Sequence, residues 1–403
     1  MNPLRVGILG ATGMVGQRFI QLLHNHPWFR VTEVAASERS AGKRYRDAVN
    51  WKMAENIPSD VADLTVKLCK PSELRSSAQS CDFVFSALDS DVAGDVELEF
   101  ARAGIPVVST AKNYRMEHDV PMIIPEINAD HIDIIPIQRK NRGFDRGFIA
   151  VKPNCSLQSY LIALYPLHRQ FRMTRLIITT MQAVSGAGYP GVPSLDIVDN
   201  VVPFIGGEEE KSEQESYKIF GTFSGEKIEH TSDIIISAHC NRVPVIDGHL
   251  ATISVEFEKK PSREEILRLW KDFRSVPQEL ELPSAPDPVI YYREEENRPQ
   301  PRLDRDAGQS VYRDARVDHA GVHYDGVDQV HVSQSGANYA EANQFGMNHA
   351  GVNRAKGMAV TCGRLRPCHI FDWRFVCLSH NTIRGAAGGS ILLAELLKAR
   401  GYL

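Results

Sequence analysis

The chain lacks three things: a run of roughly eighteen apolar residues, any CxxC or Cys/His finger spacing, and an excess of basic charge. The first absence excludes a membrane-spanning helix; Met1 to Gln21 reads as strand, Gly-rich turn and helix, not as a secretory leader. The second leaves no basis for a structural metal, and seven scattered cysteines, an odd number, are expected to be reduced thiols in a cytoplasmic protein. The third, 46 Lys and Arg against 50 Asp and Glu for a net charge of −4, gives no field to hold nucleic acid or an anionic membrane surface. What remains is an ordinary globular composition, 43% hydrophobic and 24% charged over 403 residues, long enough for about two or three domains.

Leu4 to Leu9 is a buried-strand run. Gly10-Ala11-Thr12-Gly13-Met14-Val15-Gly16 follows at once, before a helical stripe through Phe19, Leu22 and Leu23. In that strand–turn–helix context the glycines let the backbone approach a pyrophosphate, which then sits against the unpaired N–H groups of the helix N-terminus. A second strand, Val31 to Ala36, leads to Ser37-Glu38-Arg39-Ser40, where an NAD enzyme presents an acid to the ribose. Ser37, Arg39 and Ser40 suit a 2′-phosphate and so favour NADP, with Glu38 dissenting and a solvated loop as the bland alternative. Further strand-like runs at Phe83 to Ala87 and Ile105 to Ser109 make residues 1–150 a Rossmann-type, doubly wound parallel sheet. Ser86 should then line its cofactor cleft.

Val151-Lys152-Pro153-Asn154-Cys155-Ser156 precedes an apolar helical stripe through Leu157, Leu161 and Leu164, so Cys155 is expected at a helix start with Asn154 as N-cap. The helix dipole there should lower the thiol pKa and make Cys155 the reactive cysteine; otherwise it is one more small buried hydrophobe. A nucleophilic thiol calls for a histidine remote in sequence. Among fourteen histidines, His249 stands out with Arg242, the two bracketing a Pro- and Gly-marked turn before the strand Leu250 to Phe257.

Together with Gln182 in Met181-Gln182-Ala183-Val184-Ser185-Gly186, Pro203 to Lys211 and the C-terminal Ser379-His380-Asn381-Thr382-Ile383-Arg384-Gly385, these motifs resemble aspartate-semialdehyde dehydrogenase of the archaeal and fungal type, over about residues 3–308 and 357–403. The resemblance implies an NADP-dependent enzyme, a homodimer or homotetramer, that reductively dephosphorylates aspartyl phosphate through a thioester. It implies that Cys155 is the nucleophile, His249 the acid/base and Gln182 an orienting amide. Arg242 would grip the α-carboxylate, Glu208 the α-ammonium, and Lys211, Arg115 and Asn154 the rest of the substrate and its phosphate. Asn381 and Gly385 would lie on the nicotinamide side. A changed acyl donor such as malonyl-CoA, and an inactive paralogue serving as a binding partner, are the competing readings. Read alone, Glu208 to Lys211 is equally a solvated charged turn.

A second, α+β catalytic and dimerisation domain is expected over 151–379, with strands at Arg175 to Ala183, Leu250 to Phe257, Met358 to Leu365 and Phe371 to Leu378. Ser262 and Glu265 should form a capping box, and a C-terminal helix from Ser390 should complete the first domain. Residues 309–356 contain no Leu, Ile, Pro, Trp or Cys and are expected to be a disordered insertion.

Overall fold

The structure is a computed structural model and describes residues 2–75, 81–310 and 353–403. Short apolar runs, buried on both faces, form a six-stranded parallel sheet: Leu4–Leu9 (β1), Phe29–Ala36 (β2), Lys67–Leu68 (β3), Phe83–Ser86 (β4), Val107–Ser109 (β5) and Ile149–Val151 (β6). Its order is β3-β2-β1-β4-β5-β6, so the direction of winding reverses between β1 and β4. A crevice opens beyond the carboxyl ends of the strands at such a reversal. Gly10 sits at that point with φ +75°, and a Cβ there would lie 2.6 Å from the Ala87 carbonyl oxygen, so only glycine fits.

After a small hairpin of Thr222–Phe223 (β8) and Ile228–Glu229 (β9) is set aside, the remaining strands make a mixed sheet. These are Met173–Gln182 (β7), Ile235–Arg242 (β10), His249–Phe257 (β11), Ile290–Arg293 (β12), Val360–Pro367 (β13) and Trp373–Ser379 (β14), ordered β10-β7-β11-β14-β13-β12. The outer pairs β10/β7 and β12/β13 are parallel and the inner ones antiparallel. Helix Leu161–Phe171 and helix Arg263–Asp272 contribute Leu161, Leu164, Ile266 and Trp270 to one apolar cluster with Ile178, Ile253 and Phe375 of this sheet. The second helix starts with the expected reciprocal cap, Glu265 N–H to Ser262 Oγ at 3.1 Å and Ser262 N–H to Glu265 Oε2 at 2.7 Å. The C-terminal helix Gly388–Ala399 shares a second cluster with Val6, Ile8 and Phe85 of the first sheet.

Strands β10 and β12 had no place in the sequence reading; both are edge strands, and β10 alternates exposed and buried residues along its length. The expected insertion also needs narrower limits. Residues 311–352 lie outside the described residues, but its two ends are built into the fold. Gln309 O accepts from Asp287 N–H at 2.8 Å, Asn353 Nδ2 donates to Gly308 O at 3.0 Å, and Ala355 is fully buried. Among the described residues, no helix is long and apolar enough to cross a membrane.

Candidate active site

Sheet register brings the site together. Arg242 at the end of β10 pairs with Gln182 at the end of β7, and His249 opens β11 beside Ser379, the last residue of β14. Residues from three separate stretches of the sequence, Gln182, Arg242 with His249, and Ser379, therefore share one end of the second sheet. The segment Lys152–Ser156 reaches it from the carboxyl end of β6 in the first sheet, where Lys152 N–H donates to Ser109 O at 3.1 Å.

Cys155 Sγ lies 3.2 Å from His249 Nε2. His249 is fully buried, and its Nδ1 accepts from the Ala183 backbone N–H at 3.0 Å. An imidazole whose Nδ1 is an acceptor carries its proton on Nε2, so in the neutral ring the nitrogen facing the sulfur is a donor. Burial, then the Arg242 guanidinium, hold the imidazole well below its ordinary value, which keeps it neutral.

The expected helix start at Cys155 is corrected. Cys155 and Ser156 lie in a turn, a single 3₁₀ turn spans Leu157–Ser159, and the α-helix begins only at Leu161. The dipole assigned to lowering the thiol pKa is thus displaced from it. Burial, followed by the Glu208 carboxylate, instead pushes the Cys155 thiol up, while Lys152, Arg115 and Arg242 pull against them. Asn154 still caps locally: its Oδ1 accepts from Ser156 N–H at 2.9 Å and from Ser156 Oγ at 2.8 Å.

Helix Glu208–Ile219 supplies the charged wall. Glu208 accepts from Lys211 Nζ at 2.7 Å, from Asn154 Nδ2 at 3.0 Å and from Gln182 Nε2 at 3.2 Å. Burial opposes its ionisation, but those donors outweigh it and hold the carboxyl below its ordinary range. Gln182 spends its amide on Glu208 and on Thr180 Oγ1, and so orients that carboxylate. Arg242 Nη1 donates to Ala183 O at 2.8 Å. Arg115 pairs with Glu215 at 2.9 Å and donates to Thr110 O at 2.8 Å, while the other Glu215 oxygen takes Asn154 N–H at 2.6 Å.

On the cofactor side, helix Met14–Leu23 starts at Gly13 with no side-chain cap and no acidic residue in its first turn. The terminal N–H groups of Met14, Val15 and Gly16 are thus left to an anion, and the turn Gly10-Ala11-Thr12-Gly13 fits a dinucleotide pyrophosphate. Ser37 and Arg39 are exposed just past β2, and Ser40 folds back to donate its N–H to Ser37 O at 2.9 Å. Ser86 closes β4, its carbonyl accepting from Thr110 N–H and from Thr110 Oγ1, each at 3.0 Å. Asn381 bridges the site loops: Oδ1 accepts from Gly248 N–H and Nδ2 donates to Ser185 Oγ, both at 2.8 Å. Gly385 lies so close that a Cβ on it would be 2.8 Å from Cys155 Cβ.

The sequence reading missed Lys152, Glu215 and the packing role of Gly186. Glu215 was within reach, since seven residues after Glu208 it falls on the same helical face. Lys152 was not, because a lysine read from sequence is assigned to the surface by default.

Family models match at residues 5–135, the semialdehyde dehydrogenase NAD-binding domain, and 164–333, the semialdehyde dehydrogenase dimerisation domain. Aspartate-semialdehyde dehydrogenase of Archaeoglobus fulgidus is 44% identical over 392 residues, covering 97% of each chain. That of Schizosaccharomyces pombe is 43% identical over 407 residues, covering 99% of each. The crystal structure of aspartate semialdehyde dehydrogenase with NADP from Candida albicans superposes with a TM-score of 0.79 at 39% identity, covering 99% of this chain and 100% of that one.

Proposed function

The chain belongs to the aspartate-semialdehyde dehydrogenase family, and from that premise we propose that Cys155, His249 and the residues around Glu208 carry its reaction. The reaction is the reversible, NADPH-dependent reductive dephosphorylation of L-aspartyl 4-phosphate to L-aspartate 4-semialdehyde, in the pathway to lysine, threonine and methionine. The 3.2 Å approach of Cys155 Sγ to His249 Nε2 is the observation that carries the residue assignment.

In the biosynthetic direction the Cys155 thiolate adds to the acyl carbon, the bond to the phosphate oxygen breaks, and inorganic phosphate leaves a thioester on Cys155. NADPH, when bound, supplies a hydride to that carbon. His249 Nε2–H donates to the carbonyl oxygen as it becomes an alkoxide, and the proton stays within reach while the C–S bond breaks to release the aldehyde and restore the thiolate. Arg242 takes the α-carboxylate by its fork of donors. Glu208 takes the α-ammonium in competition with Lys211, its present partner, which frees Lys211 to turn with Arg115 toward the departing phosphate. Gln182 and Asn154 hold Glu208 in place for that exchange.

The domain assignment follows the same reading. Residues 1–150, with 380–403, hold NADP through Gly10 to Gly16, Ser37, Arg39, Ser40 and Ser86, and residues 151–379 hold the catalytic and dimerisation parts. The enzyme assembles with itself through its dimerisation domain. Leu195, 94% exposed, with Val198, Val201 and Phe204, also largely exposed, belongs to a segment whose Val202 bridges Arg242 at the end of β10; this apolar face suits a homodimer, and a homotetramer needs a second one. All seven cysteines are free, which supports a reducing, cytoplasmic setting.

Cys155→Ser tests the assignment, because a serine hydroxyl stays protonated where a thiol ionises. Phosphate-dependent reduction of NADP by aspartate semialdehyde should vanish while NADP binding, followed by fluorescence titration, is unchanged. Retention of most of the activity would move the nucleophile elsewhere.

A further inference from the structure

His249 cannot receive the proton of Cys155 in this geometry, since its Nε2 already bears one while Nδ1 is engaged with Ala183 N–H. With the imidazole held neutral, the thiolate also has no imidazolium to balance it. Its compensating charge must come from another cation. Three act on Cys155 in its favour: in decreasing order, Lys152, Arg115 and Arg242. Arg115 is already neutralised by Glu215 at 2.9 Å. Arg242, on the reading above, is neutralised by the carboxylate of the arriving substrate. Lys152 is left.

Lys152 is 2% exposed and stands three residues before Cys155, in the segment that leads from β6 into the Cys155 turn. Its Nζ donates to Pro153 O at 2.5 Å, and among the described residues it forms no ion pair with a carboxylate. Burial, then the Arg115 guanidinium, pushes the amine down to about 7, while Cys155, Glu215 and Glu208 favour its charged form. Its charge also acts on His249, in the direction that keeps the imidazole neutral. Lysine ammonium is costly to bury without an anion, and of the three groups that favour its charge the Cys155 sulfur comes first, ahead of Glu215 and Glu208.

We propose that Lys152 is a positioning residue that holds Cys155 as the thiolate, its ammonium supplying the charge that the Cys155–His249 pair lacks. The thiol proton leaves to solvent, and His249 Nε2–H is kept for the substrate oxygen. The proposal rests on Cys155 being the nucleophile.

The test is the pH dependence of Cys155 alkylation by iodoacetamide in the full-length enzyme, with the modified cysteine identified by peptide mass spectrometry. Sγ bonds to the methylene carbon as iodide leaves, so the rate reads the thiolate. In Lys152→Met the inflection should move up by about one pH unit and the rate at neutral pH should fall about tenfold; Lys152→Arg should restore both. If the methionine variant does not fold, Lys152→Gln, which can still donate to Pro153 O, is read the same way. An inflection unmoved in a folded, uncharged variant overturns the role of Lys152. Alkylation that spares Cys155 in the wild type overturns the nucleophile reading beneath it.

Discussion

Gly186 shows how little freedom Arg242 and His249 have. A Cβ there would lie 2.8 Å from Arg242 Nη1, 3.0 Å from His249 Cε1 and 3.1 Å from His249 Nε2. Arg242 cannot swing aside without losing Ala183 O, and the imidazole cannot tilt without losing Ala183 N–H. Gly186→Ala should therefore fold, because residue 186 lies in a surface turn with an ordinary φ, yet displace both groups proposed to meet the substrate. Misplacement of about an ångström costs roughly a hundredfold in rate. We expect kcat/KM to fall by about that factor with the melting temperature within about 2 °C of wild type. A variant with undiminished kcat/KM would mean that the loop 184–187 relaxes freely and does not fix His249.

Helix Glu208–Ile219 carries the charged residues to which the proposed reading assigns substrate recognition. Glu208, Lys211, Glu215 and Lys218 recur at helical spacing on one face. Three acidic residues in its first turn suit the positive end of the helix dipole, which is why this charge run is a helix start and not the solvated turn that its composition also allows. Its far end is pinned by Lys218, fully buried, whose Nζ donates to Arg115 O at 2.7 Å, Glu117 O at 2.6 Å and Val120 O at 2.8 Å. Lys218→Met keeps the apolar stem and leaves three carbonyls without that donor. It should cost about 2–3 kcal/mol in urea unfolding, and it should raise KM for phosphate, since the Arg115 loop loses its tie to the helix. A stability loss without a change in KM would confine Lys218 to the fold.

Legibility from sequence follows the same division by range. The Gly10 to Gly16 turn, the capping box at Ser262 and the strands β1 and β7 are written in contiguous residues, and pattern alone places them. The meeting of Gln182, Arg242 and His249 depends on how β10 and β11 register against β7, which no local pattern specifies; Arg242 and His249 stand out by the turn they bracket, the family resemblance supplied Gln182, and their geometry waited for the sheet. Cys155 was placed by its flanking motif, but its pKa was misjudged, because burial and Glu208 act on it from outside the turn that carries it.

At the scale of the molecule, the chain's last segment closes the fold on itself. Arg384 pairs with Glu126, Nη1 to Oε1 at 2.8 Å with a second bond from Nη2 to Oε2, and its Nε reaches Gln158 Oε1 at 3.0 Å, all fully or nearly fully buried. The approach to that segment begins at Asn353, and its start is tied to Gly308 and Ser310. Ser310 N–H donates to Asn353 Oδ1 at 3.2 Å, and the same oxygen accepts from Ala355 N–H at 3.2 Å. Residues 310 and 353 therefore meet directly. Residues 311–352 carry none of the side chains assigned to the site, and loop closure costs only about 0.6 kcal/mol per doubling of length. Replacing 311–352 by a short glycine linker should leave turnover unchanged and the melting temperature equal or slightly higher. Removing the wider span 309–356 should instead destabilise the enzyme by about 2–4 kcal/mol, because it takes away the buried Ala355 and the acceptor Asn353. Thermal unfolding and phosphate-dependent NADP reduction on both deletions decide the matter. A narrow deletion that folds but is inactive would assign residues 311–352 a place at the site or at the contact between subunits, whereas equal stability of the two deletions would show that the ends at 310 and 353 hold nothing together.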